Sequence, residues 1–270
     1  MELENVHIVL IVVCLLVIGY IFYLYSLKPS TNKQIDIIDK PFKKDYFQYS
    51  LMVHLENDKL SEERIQKVKK IYKKYEIPIH LMKATHWKHD LKEIQTYPID
   101  ENLTYGRTGA YGLAGSFYKC IKQAYNEKWP YLLFFEDDAV PILPKKKFHH
   151  RLNEVLTTLP DNGDGIYFLS LGVWCHTHRN EPITWKKFNE IQTYVSGAHS
   201  VYFGQKSIQT IFRDIQQYTL DQPIDEWLKK YDPWVWWGDL SENGMFRGLY
   251  KQLGMHCNNI FTLPGPINNS

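Results

Sequence analysis

Three consecutive acids follow a run of apolar and aromatic residues in "YLLFFEDDAV", residues 131 to 140. The run predicts a buried strand, which places Glu136, Asp137 and Asp138 at its carboxyl end, where open α/β sheets bind their ligands. Glu136 and Asp138 can point into one cleft and offer hard oxygen ligands to Mg²⁺ or Mn²⁺. Adjacent carboxylates repel one another unless a cation is present. A polar turn in which Asp138 caps a helix is the alternative, and the pattern favours neither.

The elements around this motif predict an α/β domain. A strand in "YSLMVHL" (49 to 55) is followed by a helical pattern that begins near Ser61 and by a second strand in "IPIHLMKA" (77 to 84). The lysines of that helix fall on its outer face, which is typical of a solvated surface. Strands alternating with helices continue to about residue 231, which is the order expected of an α/β sheet.

The glycines before the acidic motif have a different role from a phosphate-binding loop. They stand in "LTYGRTGAYGLAGSFYKCIKQAYNEKWP" (103 to 130), which lacks the Walker pattern. Their spacing favours turns or the close packing of a helix.

An uncharged apolar run precedes the domain. Residues 8 to 26 match the length of about 20 residues that a membrane-spanning helix needs, although a buried core helix is an alternative. We therefore divide the chain into a tail (1 to 7), a transmembrane helix (8 to 26), a stalk (27 to 46) and an α/β domain (47 to 270). Lysines follow the span and acids precede it, so the positive-inside rule predicts a cytosolic domain; a lumenal domain in the ER or Golgi is the alternative.

Composition excludes some partners. The formal net charge is only +2, which gives no indication of nucleic-acid binding. Aromatic residues make up 15 % of the chain, and such side chains serve cores, membrane interfaces and sugar-binding surfaces alike. Cysteine usage does not decide the compartment, since both free thiols and one disulfide are possible.

Four stretches, in order, resemble glycosyltransferase family 25, the group of lipooligosaccharide and procollagen galactosyltransferases. They are "YSLMVHLENDKLSEERIQKV", the glycine-led segment that ends in "EDDAV", "VSGAHSVYFGQKSIQTI" and "PIDEWL". This resemblance implies a GT-A fold, a Rossmann-like domain that binds a nucleotide sugar, typically a UDP-sugar, through Mn²⁺ or Mg²⁺. The implied reaction moves a sugar, such as galactose or glucose, to a glycan, lipid-linked or protein acceptor with inversion.

The resemblance also implies roles on the donor side. Asp138 and Glu136 become metal ligands, and a late histidine, His256 in "GMHCNN", is the candidate for a third, with an ordinary loop histidine as the alternative. The residues expected to contact the donor are Arg64, Glu136, Asp137, Gly197 and His199. Gly197 and His199 are equally compatible with buried strand positions.

The candidate residues for catalysis and for acceptor binding lie in the C-terminal part of the chain. An inverting enzyme needs a carboxylate that deprotonates the acceptor hydroxyl. Asp225 in "PIDEWL" is the candidate from the resemblance, and Asp239 in "WVWWGDLSEN" is the candidate from the local sequence. Trp234, Trp236 and Trp237 are candidates for a sugar-stacking platform, with core or membrane-facing positions as the alternative.

The sequence thus predicts a membrane-anchored, metal-dependent glycosyltransferase. A non-catalytic carbohydrate-binding or adhesion protein that keeps the fold is the alternative, and a metal-dependent phosphoesterase is a second. The latter normally needs a richer set of histidines and acids around two metal ions than this sequence offers.

Overall fold

The structure is a computed structural model that describes residues 43–104, 108–141, 143–169, 172–173, 184–191, 195–196, 198–237 and 246–248. The predicted tail, transmembrane helix and most of the stalk lie outside these residues. Within the described ranges, no helix combines the length and the apolar character needed to cross a bilayer.

The strands follow the predicted alternation with helices. They are β1 (Ser50–His54), β2 (Leu81–Lys83), β3 (Tyr131–Glu136), β4 (Ala139–Pro141), β5 (Ile166–Phe168), β6 (Gly172–Val173), β7 (Thr184–Lys187), β8 (Val195–Ser196), β9 (Ser200–Gly204), β10 (Trp234–Trp237) and β11 (Phe246–Gly248).

Helices connect most of these strands. The α-helices are α1 (Lys59–Tyr75), α2 (Leu91–Ile94), α3 (Thr108–Asn126), α4 (Lys145–Thr157), α5 (Gln205–Tyr218) and α6 (Ile224–Trp227). Short 3₁₀ helices occupy Lys44–Phe47, Glu101–Thr104, Pro160–Gly163, Phe188–Glu190 and Leu228–Tyr231.

A mixed seven-stranded sheet forms the centre of the domain. Its strand order is β2-β1-β3-β9-β5-β10-β7, and β4 with β11 and β6 with β8 form two small antiparallel pairs. Strands β2, β1, β3, β5 and β10 share one direction, whereas β9 and β7 run the opposite way. The α/β prediction is therefore confirmed.

Both faces of the sheet are covered, because successive strand residues point to opposite sides. Phe134 packs in a cluster with α3 and α5, and its neighbour Phe135 packs in a second cluster with α1 and α4. Phe47, from the 3₁₀ helix before β1, is fully buried in the second cluster. The sheet is thus the middle of three layers, and its edges are where a site can open.

Helix α1 begins slightly earlier than the sequence predicts. Asp58 caps it by accepting a hydrogen bond from the Ser61 backbone at 2.7 Å, and Glu76 ends it in the left-handed conformation at φ 59°. Ser61 therefore lies inside the first turn and is buried rather than capping the helix. The lysines on the opposite side of α1 are exposed, as predicted: Lys67, Lys69, Lys70, Lys73 and Lys74.

Helix α3 packs against the segment after β2 through two of its glycines. A Cβ at Gly112 would lie 2.6 Å from the Thr85 carbonyl oxygen, and one at Gly115 would lie 3.2 Å from the Thr85 side chain. Ser116 strengthens the contact, because its hydroxyl accepts from the Thr85 backbone N–H at 2.8 Å. The prediction of helix-packing glycines is confirmed at these two positions.

Candidate metal and donor-binding site

Two carboxylates and one imidazole that could hold a metal ion meet at the carboxyl edge of the sheet. Glu136 ends β3, and Asp138 follows in the turn to β4. Because β9 runs antiparallel to β3, the residue that precedes β9, His199, lies at this same edge. The Glu136 backbone N–H donates to the His199 carbonyl at 3.1 Å, so the sheet itself fixes the two residues side by side.

The geometry of the three side chains fits one cation. His199 Nδ1 lies 3.2 Å from Glu136 Oε2 and 3.4 Å from Asp138 Oδ1. One ligand atom from each residue lies within 4.8 Å of the others, and all three side chains are only partly exposed. Two carboxylates with one imidazole form a ligand set that divalent cations use in proteins.

The same contacts determine the charge balance of the three side chains when no metal is bound. Burial disfavours the charged imidazole, but Glu136 and Asp138 outweigh it and raise the pKa of His199 to about 10. A protonated imidazole therefore compensates the two carboxylates in this arrangement. A metal ion would bind the neutral imidazole and displace that proton.

Asp137, the middle acid, contacts a different set of residues. Its carboxylate accepts from Ser61 Oγ at 2.5 Å and from Arg64 Nη1 at 2.9 Å, and it lies 3.5 Å from His54 Nδ1. Asp137 is 8 % exposed, and Ser61 is fully buried. Asp137 thus ties the turn after β3 to helix α1 and to the end of β1.

A pocket of about 370 Å³ opens beside the acidic turn. Glu136, Asp137 and Arg64 form one part of its wall, and Val53 and Leu55 at the end of β1 form another. The segment after β2 and helix α3 complete the wall. Trp87 is 37 % exposed at this pocket, whereas Thr85 is buried and its hydroxyl has no hydrogen-bond partner among the described residues.

His86 also lines the pocket, and its tautomer follows from its contacts. Its Nδ1 accepts hydrogen bonds from the backbone N–H groups of Lys88 and His89 at 3.1 and 3.2 Å. The ring proton is therefore on Nε2, so the side chain offers one hydrogen-bond donor.

The structure brings together five of the residues that the sequence assigned to the donor and metal: Arg64, Glu136, Asp137, Asp138 and His199. His199, which the sequence assigned only to donor contact, lies beside Glu136 and Asp138 and is therefore also a candidate metal ligand. Gly197, Asp239 and His256 lie outside the described residues. Asp225 lies on α6, which packs against α3, and it lines neither the pocket nor the acidic cluster.

Of the three tryptophans predicted to form a sugar platform, Trp236 takes the core position given as the alternative. Trp236 is 3 % exposed and packs edge-on against Trp185, so its face is not accessible to a sugar. Trp234 begins β10, at the amino edge of the sheet, and donates its indole N–H to Asp161 at 2.7 Å. These rings lie in β10 because a strand of aromatic residues stabilises the sheet and its packing. The side chain of Trp237 lies outside the described part.

Residues 84 to 87 are the part of the site that the sequence did not single out. Their position directly after β2 was the available signal, since the carboxyl ends of parallel strands line ligand clefts. His54 and Ser61 were also missed as parts of the site. Ser61 and Asp137 are 76 residues apart in the sequence. The contacts of both residues with Asp137 depend on the register of β1 with β3.

Comparison of the chain with known proteins gives matches among solved structures. No protein-family profile and no curated protein matches the sequence. The resemblance to glycosyltransferase family 25 therefore rests on the four motifs alone.

A solved structure described as a glycosyltransferase involved in the glycosylation of the major capsid of PBCV-1 is 10 % identical in sequence, and the match covers 69 % of this chain and 91 % of that one. Its TM-score is 0.32. A likeness of this size does not establish a common fold.

Proposed function

We propose that this chain is a metal-dependent glycosyltransferase that uses a nucleotide-sugar donor. The observation that carries the proposal is the convergence of Glu136, Asp138 and His199 at the carboxyl edge of the sheet, next to a pocket that shares Glu136. Such an arrangement suits a diphosphate held by a divalent ion at one end of the pocket.

The pocket provides groups suited to the nucleoside part of the donor. The exposed ring of Trp87 offers a stacking surface for a base, and aromatic stacking stabilises bound bases. The Nε2–H of His86, which lines the pocket, offers a hydrogen bond. Arg64, at the same pocket, contributes positive charge beside the position proposed for the diphosphate.

The proposed chemistry follows from these positions. Glu136, Asp138 and His199 would hold Mn²⁺ or Mg²⁺, and a bound cation of this kind stabilises the negative charge that develops on a leaving diphosphate. The side chains of the pocket orient the donor. For an inverting reaction, a carboxylate must accept the proton of the acceptor hydroxyl, and Asp225 and Asp239 remain the candidates.

The same proposal includes four finer statements: membership of glycosyltransferase family 25, a UDP-sugar donor, a glycan, lipid-linked or protein acceptor, and membrane anchoring with a cytosolic domain. Their support is the motif resemblance, the apolar run of residues 8 to 26 and the lysines that follow it.

A donor assay tests the proposed function. The purified chain is incubated with Mn²⁺ and a panel of UDP-sugars, and UDP release is measured with and without sugar acceptors. We expect release that stops in Asp138→Ala and persists in Asp221→Asn, a matched change of an exposed acid.

The outcomes separate the alternatives. No release with any donor, together with no UDP-dependent rise in the melting temperature, contradicts the proposal. A rise in melting temperature without release identifies a non-catalytic binding protein. Release of free sugar and of UDP in equal amounts, with acceptors making no difference, identifies a hydrolase.

A further inference from the structure

The middle acid of the "EDD" motif contacts side chains from two different elements. The Asp137 carboxylate contacts Ser61 and Arg64 of α1, at 2.5 and 2.9 Å, and His54 of β1, at 3.5 Å. Ser61 Oγ also lies 2.9 Å from His54 Nδ1. A buried carboxylate is stable only with such partners, and this one has partners from two elements.

We propose that Asp137 is a positioning residue that fixes the metal-binding turn to helix α1. The inference rests on the proposed function, since it concerns the same metal site. Asp137 itself is absent from the group of ligand atoms formed by Glu136, Asp138 and His199. It acts on both neighbours in the chain, because its carboxylate contacts hold the backbone of the turn between them.

The geometry of the turn explains why one residue controls two ligands. Glu136 ends β3, and β4 begins at Ala139, so Asp137 and Asp138 alone form the connection. The sheet holds Glu136 from one side, through its backbone bond to His199. Asp138 lies in the turn that Asp137 ties to α1, and its Oδ1 lies 3.4 Å from His199 Nδ1. The contacts of Asp137 therefore help to set the direction of Asp138 toward His199.

Arg64 gives the arrangement a second consequence. Its guanidinium donates to Asp137 and also lines the pocket, where its side chain is 24 % exposed. The pair therefore sets the position of the positive charge that the pocket presents. A change at Asp137 is expected to alter both the metal site and the pocket.

Metal affinity is the direct test. The full chain is titrated with Mn²⁺, and free Mn²⁺ is measured by electron paramagnetic resonance. We expect Asp137→Asn to weaken Mn²⁺ binding by about 10-fold or more, as the loss of a residue that orients a ligand does. Ser61→Ala should act in the same direction, and Glu63→Gln, an exposed change on the same helix, should leave the affinity unchanged.

A double-mutant comparison tests the route through Arg64. If Asp137 acts through its contact with Arg64, Arg64→Met combined with Asp137→Asn should weaken Mn²⁺ binding no more than Asp137→Asn alone, within about twofold. Additive losses in the double variant would overturn this route. Wild-type Mn²⁺ affinity in Asp137→Asn, accompanied only by a lower melting temperature, would overturn the positioning role itself.

A readout without metal separates this inference from the proposed function. Amide hydrogen exchange is compared between wild type and Asp137→Asn in the absence of metal. Faster exchange in residues 58 to 64 and 138 to 140 together is expected, because the substitution releases α1 and the turn from each other. Faster exchange in the turn alone would contradict the inference. If the wild-type chain binds Mn²⁺ but transfers no sugar, the proposed function fails while the positioning role stands.

Discussion

Among single residues, His199 has the largest influence on the character of the candidate metal site. Its Nδ1 would add a nitrogen ligand to the two carboxylates. Burial lowers its pKa, but its two acidic neighbours outweigh burial and raise the pKa to about 10. Its Nε2 is buried and has no hydrogen-bond partner among the described residues. The imidazole, rather than the acids, is therefore the group that distinguishes this site from an all-oxygen site.

The first prediction concerns metal choice. Mg²⁺ prefers oxygen ligands, and nitrogen ligands favour the later divalent metals. We expect His199→Ala to lower Mn²⁺ affinity by about 10-fold or more. Removal of a residue that only orients a ligand already costs that much, and loss of the ligand itself should cost at least as much. Mg²⁺ affinity should change much less. Calorimetric titration with each ion measures the difference, and equal losses for both ions would contradict the role of the nitrogen.

A second prediction contrasts two tryptophans. Trp236→Phe should destabilise the fold by about 1–3 kcal/mol, because it shortens a buried side chain that packs on Trp185. UDP affinity should be unchanged. Trp87→Ala should cost about 1–3 kcal/mol of UDP affinity, since it removes the stacking surface of an exposed ring. Urea unfolding and UDP titration of both variants give the result, and weaker UDP binding in Trp236→Phe would contradict the assignment.

Among the elements, the contact of α3 with the segment after β2 does most to shape the pocket. Gly112 and Gly115 let the helix approach Thr85, and the Ser116 hydroxyl both accepts from the Thr85 N–H and donates to the Gly112 carbonyl. The close approach places Thr85, His86 and Trp87 beside the helix. A looser contact would widen the pocket.

The third prediction uses two glycines of the same helix. Gly112→Ala places a Cβ at 2.6 Å from the Thr85 carbonyl oxygen and 3.2 Å from the Trp87 backbone nitrogen, so the helix must shift. We expect a loss of about 1–3 kcal/mol in stability, as overpacking typically costs, together with weaker UDP binding.

Gly109→Ala is the matched control. No atom of the described residues lies within 4 Å of the added Cβ, so the substitution should stabilise α3 by about 0.4–1 kcal/mol. Thermal unfolding of both variants measures the contrast. Equal effects at the two positions would show that helix propensity rather than the contact with Thr85 decides the outcome.

The elements also show what the sequence could predict. The alternation of strands with helices, the strand before the "EDD" motif and the packing glycines were all readable, because each depends on local pattern or on a residue type with one physical use. The position of His199 beside Glu136 and Asp138, which makes it a candidate metal ligand, could not be predicted from the sequence. It depends on β9 running antiparallel to β3, which no local pattern encodes. Trp236 was misassigned for a similar reason, since only the sheet neighbours of β10 determine that its ring is covered.

For the whole molecule, the proposal of a membrane anchor with a cytosolic domain can be tested with a glycosylation reporter. Asn102 is exposed and belongs to the sequon Asn102-Leu103-Thr104, within the 3₁₀ helix Glu101–Thr104. The residue is therefore a reporter that a lumenal domain would expose to glycosylation.

The fourth prediction is that Asn102 remains unmodified when the full chain is expressed in eukaryotic cells, as the positive-inside rule implies for a cytosolic domain. The control replaces residues 1 to 42 with a cleavable signal peptide, which sends the same domain to the lumen. Asn102 should then carry a glycan that an endoglycosidase removes. A glycan on the full chain would overturn the cytosolic assignment.

The antiparallel strand β9 has a consequence for how the site withstands damage to the chain. Glu136 and His199 are 63 residues apart, yet the ladder between β3 and β9 joins them directly. Asp161 and Asn162 lie between them, exposed and both at positive φ. A backbone cut at this turn would divide the site between two fragments without removing any of the bonds that align its ligands. We therefore expect separately expressed fragments, ending and beginning there, to reassemble into a complex that binds Mn²⁺, although neither fragment contains a complete set of ligands.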